Sequence, residues 1–344
     1  MENNFSIERE HGKVTIDTDN YSIKENNFSI EREHGKVTID TDNYSIKGDG
    51  FKRRLIRRSE VETVSRSISR IRKKVSAVVQ LRDAIQVFHQ DTNPKNFRYI
   101  NSSNPLDHSK YDAISETISW QPRRCALVGN SGILNKSKCG SSIDAHDFVI
   151  RMNLAPIGGI YADDVGSKVS IMTMNWEQLL LAVRCTRNRT NDVTKECDEL
   201  DGRMNQARDG IVWYTKGGYA DRLGIVAEHM LKNHHGNGKR GPRWAYSPRV
   251  MQGICKTLWK NKNPSTGLIA FSLASLICDE ISLFGFYPFE KDTLNRTISY
   301  HYYEPHSSKL FFYNKHRMPV EFRIFKTFGK HGSPGSQLVI QPCA

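Results

Sequence analysis

The chain lacks any run of about 18 apolar residues, the length a helix needs to cross a bilayer, and no signal peptide opens it. Its seven cysteines include no C-x-x-C pair, so a thiolate metal clamp has no framework. Acidic residues are missing where basic ones crowd. Between Leu231 and Lys262 there is no Asp or Glu, yet Lys232, Lys239, Arg240, Arg243, Arg249, Lys256, Lys260 and Lys262 all fall there. Over 344 residues the net charge is +13, which calls for anionic partners: an acidic glycan or small molecule, a lipid surface, or nucleic acid. Aromatic residues are not interleaved with the basic runs as in base-stacking platforms, and no nucleic-acid module is recognisable. No nucleic-acid partner is therefore expected.

The cysteines, Cys125, Cys139, Cys185, Cys197, Cys255, Cys278 and Cys343, are widely spaced. They share the chain with N-x-S/T triplets at Asn101, Asn135, Asn188 and Asn295. That combination fits an oxidising, secretory compartment with disulfides. An odd count leaves at least one thiol unpaired or bonded outside the chain. Cys185 and Cys197 are close enough in sequence to close a local loop. A secretory protein requires a signal or an anchor, so the sequence is expected to be a truncated or rearranged form without one.

Residues 1–47 form a duplicated polar leader, in which 2–24 and 25–47 are identical. Two copies are too few for a stacked repeat fold, and the leader is expected to be disordered or artefactual. Each copy holds VTIDTD, superficially a D-x-D metal site, but a polar duplicated leader is a poor place for one and no metal ligand is assigned. Residues 48–113 read as a basic stem helix and linker. Val61, Val64, Ile68, Ile71, Val75 and Val78 recur three and four apart. That stripe suits a coiled-coil seam, and with it a homodimer through the stem, or equally a face packed on the main domain. The Asn-, Ser- and Pro-rich run from Asp91 to His108 reads as linker.

The main domain is placed at 114–344. Apolar runs at 125–128, 147–152, 168–174, 211–214 and 281–284 read as strands. Helices are expected over 220–233, from Ser247-Pro248 onward, and from Ser265-Thr266 to about Cys278. Strands interleaved with helices make a single-domain α/β fold with a mostly parallel sheet flanked by helices.

Ligands of such sheets sit beyond the carboxyl ends of the strands. Three strands here end near Asn130, Asn153 and Asn175. An amide can read a ribose hydroxyl or a pyrimidine edge, although Asn also favours strand ends for its turn chemistry. Pro264-Ser265-Thr266-Gly267 opens an apolar helix, where N–H groups, hydroxyls and the dipole suit an anion, and a plain N-cap explains the same residues. His301 and His316 are candidate bases, with Glu321 five residues beyond His316 as its orienting group.

CALVGNSGILNKSKCGSSIDAHDFVIRMNLAP (125–156) resembles the long sialylmotif of animal sialyltransferases, and PSTGLIAFSLASLICDEISLFGFYPF (264–289) their short one. HYYE (301–304) is similar to motif III, and HRMPVE (316–321) to the His-x4-Glu of the very short motif. The PSTG start, HYY and the Cys-Ala terminus look most like the α2,8-sialyltransferase branch. The resemblance implies a GT-A-like Rossmann variant that uses no metal or cofactor, only the donor substrate CMP-sialic acid and a sialylated glycoprotein or glycolipid acceptor. It also implies a lumenal domain at the Golgi membrane with a type II anchor. Carried over residue by residue, His316 is the base. Asn130 and Asn153 hold the nucleotide, and Ser265, Thr266 and Gly267 receive the carboxylate or phosphate side of the donor. Tyr300 and His301 contact the phosphate. Cys125 pairs with Cys278, and Cys139 with Cys343. Tyr287 stands where close relatives have Trp in G-F-W-P-F and is expected to stack on cytosine; Met152 stands where many have Cys. The basic stretch before the short motif is similar to that of polysialyltransferases and could track a polyanionic chain. The rival reading, from the charge alone, is a non-catalytic polyanion- or glycan-binding protein.

Overall fold

The computed structural model describes residues 6–10, 13–18, 21–25, 28–32, 35–40, 45–47, 67–88, 111–114, 124–187, 194–215, 222–227, 241–247, 250–261, 263–292, 294–304, 316–328 and 338–340. Two units divide the chain, residues 1–63 and 64–344.

In the first unit the described segments are strands. These are β1 (Ser6–Glu10), β2 (Lys13–Thr18), β3 (Tyr21–Glu25), β4 (Phe28–Arg32), β5 (Gly35–Asp40) and β6 (Ser45–Lys47). Strand β2 meets β5, its own duplicate, antiparallel with Thr15 opposite Thr38 and Val14 opposite Ile39. The register sets Lys13 opposite Asp40 and Asp17 opposite Lys36.

The second unit is built on a nine-stranded sheet. Its strands are β7 (Gln86–Phe88), β8 (Tyr111–Ala113), β9 (Arg124–Val128), β10 (Phe148–Arg151), β11 (Ile171–Met174), β12 (Ile211–Tyr214), β13 (Arg243–Tyr246), β14 (Glu280–Phe284) and β15 (Leu338–Ile340). The order is β15-β14-β9-β10-β11-β12-β13-β7-β8. From β15 to β13 all neighbours are parallel, and β7 and β8 add an antiparallel edge. The expected α/β class and mostly parallel sheet are found. Strands β7 and β8, which fall within residues 48–113, pair at the edge of this sheet.

Alternate residues of each strand face opposite layers. Cys125, Leu127, Phe148, Ile150, Ile171, Trp213, Ile281 and Leu283 join one core. Ala126, Val128, Val149, Met172, Val212, Tyr214 and Phe284 join the other. Helices α1 (Ser67–Ser76), α5 (Val250–Leu258) and α6 (Thr266–Ile277) cover the first face; α3 (Trp176–Arg187) and α4 (Thr194–Gln206) cover the second. Short helix α2 (Gly140–Asp144) follows β9, and α7 (Met318–Phe328) precedes β15. Helix α6 is apolar nearly all round, with Leu268, Ile269, Phe271, Leu273 and Ile277 buried; each such side chain contributes about 1.5–3 kcal/mol.

Of the two readings of the stem stripe, the described residues follow the second: Ile68, Ile71 and Val75 lie in the core with α6. Val78 of the same stripe is exposed, and Val61 and Val64 lie outside the described residues. One arginine of the basic stem closes a helix end. Arg72 Nε donates to Ser275 O at 3.0 Å, and Arg72 Nη2 to Cys278 O at 2.5 Å. These are carbonyls at the C-terminal end of α6, where a cation is favoured.

The cysteines tie the layers together. Cys125 is bonded to Cys278, joining the start of β9 to the end of α6, and Cys185 to Cys197. Cys139 is also disulfide-bonded; Cys343, its expected partner, lies outside the described residues. Cys255 is the free thiol, buried, with its pKa pushed up to about 12 by burial.

His146 is held between a carbonyl of α2 and a serine side chain of β14. Its Nδ1–H donates to Ser142 O and its Nε2 accepts from Ser282 Oγ, both at 2.9 Å. Burial lowers its pKa below the ordinary value of about 6.5. The unfolded chain therefore takes up a proton first as pH falls, and the stability this residue contributes near neutrality is lost below the unfolded value. We expect His146→Gln to flatten the drop in unfolding midpoint between about pH 7 and 5; an unchanged slope in a denaturation series would contradict this.

Candidate active site

Strand β9 marks the reversal of strand order: the chain builds outward through β10 to β13, then returns to lay β14 on the other side. At that switch point a crevice opens beyond the strand ends. A cavity of about 530 Å³ occupies it, lined by Gly129, Asn130, Asn153, Thr266, His301 and His316 among others. That volume suits a small molecule.

Two glycines let the walls meet. A Cβ on Gly129 would lie 2.6 Å from Gly285 O, and one on Gly285, whose φ is +68°, would lie 2.5 Å from Leu134 Cδ1. Gly285→Ala should cost about 1–3 kcal/mol through left-handed backbone and overpacking. It should also spread the β9 and β14 loops, and a thermal-shift measurement reads the loss of stability.

Each expected site residue except Tyr287 lines the cavity. The Tyr287 hydroxyl donates to Lys291 O at 2.8 Å, and its ring packs edge-on against Phe289 and Phe322. Its neighbours Phe286 and Pro288 line the cavity instead, because alternation past β14 turns residue 287 away.

The three asparagines differ in what they do. Asn130 is buried; its Nδ2 donates to Met152 O at 3.1 Å, and its side chain is hydrogen-bonded to Tyr303. Its carbonyl accepts from the Tyr302 N–H at 2.9 Å. Asn130 braces the loop after β9 against the Tyr302-Tyr303 segment. Asn153 adopts φ +56°, its N–H donates to Thr173 Oγ1 at 2.8 Å, and its carbonyl accepts from Gln178 Nε2. Asn175 caps α3: its Oδ1 accepts from Gln178 N at 2.9 Å, and Gln178 Oε1 reaches back to Asn175 N, a capping box. The turn and cap chemistry of asparagine accounts for most of these bonds. Asn153 keeps the amide best suited to a ligand.

At the start of α6, Ser265 is fully engaged. Its Oγ accepts from Leu268 N at 3.1 Å and donates to Glu321 Oε2, while its N–H donates to Glu321 Oε1 at 2.9 Å. Ser265 is thus an N-cap and an anchor for Glu321, and its hydroxyl proton is not available to an anion. Thr266 and Gly267 stand next, at the first helical turn, where N–H groups have no intrahelical acceptor. A Cβ on Gly267 would fall 2.8 Å from Phe286 Cε1, so this glycine lets the helix start and the aromatic floor share one wall.

His301 and Tyr300 form the opposite rim. His301 Nδ1 lies 2.8 Å from Glu304 Oε2, an ion pair when the imidazole is protonated. Burial and the nearby Glu304 and Glu177 charges raise the Tyr300 pKa, which keeps its hydroxyl a donor. His316 Nδ1 lies 2.9 Å from Asn263 O. A carbonyl only accepts, so Nδ1 carries the proton and neutral His316 holds its lone pair on Nε2. Glu321 was expected to orient His316. Its hydrogen bonds instead go to Ser265 and to Asn261 Nδ2, the latter at 2.7 Å; burial raises its pKa against those bonds.

Trp176, Glu177, Asn263, Glu304, Met318 and Phe322 also line the cavity and were not picked out from the sequence as binding residues. Trp176 and Glu177 directly follow Asn175, so strand-end reasoning could have found them. Asn263 is placed only by the long-range contact to residue 316. No lysine or arginine is among the lining residues described. Lys256, Lys260 and Arg243 of the basic stretch are described, whereas Lys232, Lys239, Arg240, Arg249 and Lys262 lie outside the described residues.

Four sequence blocks thus converge on one crevice at the switch point of a parallel sheet. The family model described as glycosyltransferase family 29 (sialyltransferase) matches residues 70–333, and the chain belongs to that family. Over 210 residues it is 30% identical to alpha-2,8-sialyltransferase 8F of Mus musculus, a match taking in 60% of this chain and 50% of that protein. The chain spans about half the length of this curated relative. Two crystal structures of a mammalian sialyltransferase, one in complex with Gal-beta-1-3GalNAc-ortho-nitrophenol, align at 20% identity and a TM-score of 0.45. They cover 84% of this chain and 84% and 83% of their own.

Proposed function

We propose that this protein transfers sialic acid from CMP-sialic acid to a glycan already ending in sialic acid. The linkage formed is α2,8, His316 is the base, no metal takes part, and the reaction belongs to the Golgi lumen. The observation that carries the reading is the fixed tautomer of His316 on the wall of a cavity that also holds the α6 start and the His301 rim.

The acceptor hydroxyl gives its proton to His316 Nε2 as its oxygen bonds to the anomeric carbon of the donor. The bond from that carbon to the phosphate oxygen breaks, its electron pair leaves with CMP, and the configuration inverts. Charge grows on the departing phosphate, and the donors placed to meet it are the Tyr300 hydroxyl, the His301 imidazole, and the Thr266 and Gly267 N–H groups. Asn153 is assigned to the nucleotide and Phe286 to its apolar contact. The disulfides and the N-x-S/T triplets support a lumenal location. The basic stretch before α6 supports an acidic acceptor.

Incubation with CMP-sialic acid and a panel of α2,3- and α2,6-sialylated and unsialylated acceptors tests the proposal. Product should form only on sialylated acceptors and at the same rate in EDTA. Transfer to unsialylated galactose alone would overturn the linkage, and loss in EDTA the metal independence.

A further inference from the structure

We propose that Asn261 is a positioning residue for the base, through which the start of α6 and the start of α7 jointly set the tautomer and place of His316. The inference rests on His316 being the base, and it concerns a residue outside the four sequence blocks that define the site.

Asn261 is 3% exposed, in a segment of polar residues between α5 and α6. Its N–H and both polar atoms of its side chain have partners. Its N–H donates to Cys255 O at 3.2 Å, which ends α5. Its Oδ1 accepts from the Asn263 N–H at 3.2 Å. Its Nδ2 donates to Glu321 Oε1 at 2.7 Å. The same Glu321 oxygen takes the Ser265 N–H at 2.9 Å, so one carboxylate clasps the loop on both sides of Asn263. Between those two anchors the Asn263 carbonyl is presented to His316 Nδ1 at 2.9 Å.

The arrangement is a closed ring of contacts. Glu321 sits on α7, which starts two residues after His316; the ring leaves α7 through Glu321, passes Asn261 and Asn263, and returns to His316. A carbonyl that could swing away would let the imidazole exchange tautomers, and the lone pair would then move to the nitrogen facing the loop. Holding that carbonyl still is what Asn261 does. The sidedness of its amide matters: it must accept from Asn263 and donate to a carboxylate at once, which Leu and Ala cannot do and Asp does only as the neutral acid.

The test pairs Asn261→Ala with Asn261→Asp, which keeps the shape and the bond from the Asn263 N–H but turns an oxygen toward Glu321. Nitrogen-15 NMR of the imidazoles, with His316 assigned by its absence in His316→Ala, reads the tautomer without reference to activity. We expect the Nδ1–H form in the parent protein and a rise of the Nε2–H form in the variants. We also expect turnover to fall about tenfold or more while the donor KM stays within about twofold. If Asn261→Ala fails to fold, Asn261→Asp alone carries the comparison. A parent-like His316 tautomer in either folded variant overturns the proposal, whatever the turnover, because lost activity would then reflect general damage. If instead His316→Ala retains full transfer, the base assignment fails, while the tautomer data still report whether Asn261 controls that ring.

Discussion

His316→Ala is expected to slow sialyl transfer by about 10²–10⁴-fold, the range that a positioned base supplies. This corresponds to about 3–5.5 kcal/mol of barrier. CMP affinity should change little, since the imidazole is assigned to the acceptor hydroxyl and the nucleotide to Asn153 and the α6 start. The fold should also survive: His316 is half-buried, and its described hydrogen bond goes to a carbonyl of the 261–265 loop. The measurement is kcat at saturating donor beside a calorimetric titration with CMP. A variant within tenfold of the parent would remove His316 from the chemistry. A variant that no longer binds CMP would instead put the ring in the donor subsite.

Removing the Cys125–Cys278 bond should bring the largest loss of stability. The two residues are 153 apart in sequence, and closing a loop of that length lowers the entropy of the unfolded chain by about 5 kcal/mol in free energy. Both side chains are fully buried, so Cys125→Ala with Cys278→Ala adds a small cavity cost on top. Activity per folded molecule should hold, because the bond lies at the N-terminal end of β9 and the cavity at its C-terminal end. Guanidinium unfolding of the double variant tests the first statement, and kcat at low temperature the second. A loss under about 1 kcal/mol would show that the unfolded chain is already restricted by other contacts.

Much of this architecture could be read from the residues, and the failures have definite causes. The strands ending at Val128, Arg151, Met174 and Tyr214 were legible because each is a short apolar run closed by a polar or turn residue. β13 was not, since its Arg-Trp-Ala-Tyr sits in a basic stretch between prolines and reads as surface. β7 and β8 were missed for a different reason: three-residue edge strands gain their identity from the neighbour they pair with. Ser247 was expected to cap a helix, yet its hydroxyl accepts from Trp213 Nε1 and donates to Ala84 O, a choice made by tertiary packing. At the site, sequence spacing put Glu321 five residues beyond His316, as a group to orient or tune it. The carboxylate went to Ser265 and Asn261 instead, because a buried charge takes the strongest donors within reach, and those lie 56 and 60 residues away. The Gly129–Gly285 approach was equally hidden, as a glycine shows what it permits only once its neighbour across the crevice is known.

The position of β9 between β10 and β14 has a consequence for how the molecule is made. As the chain emerges from its N-terminus, β9 gains β10 early, but its other flank waits for β14, from Glu280 onward. Throughout that interval the future centre of the sheet presents an open row of amides and carbonyls beside an unpaired Cys125 thiol. Such an edge is a template for wrong pairing, and the interval is when a chaperone or thiol isomerase has something to hold.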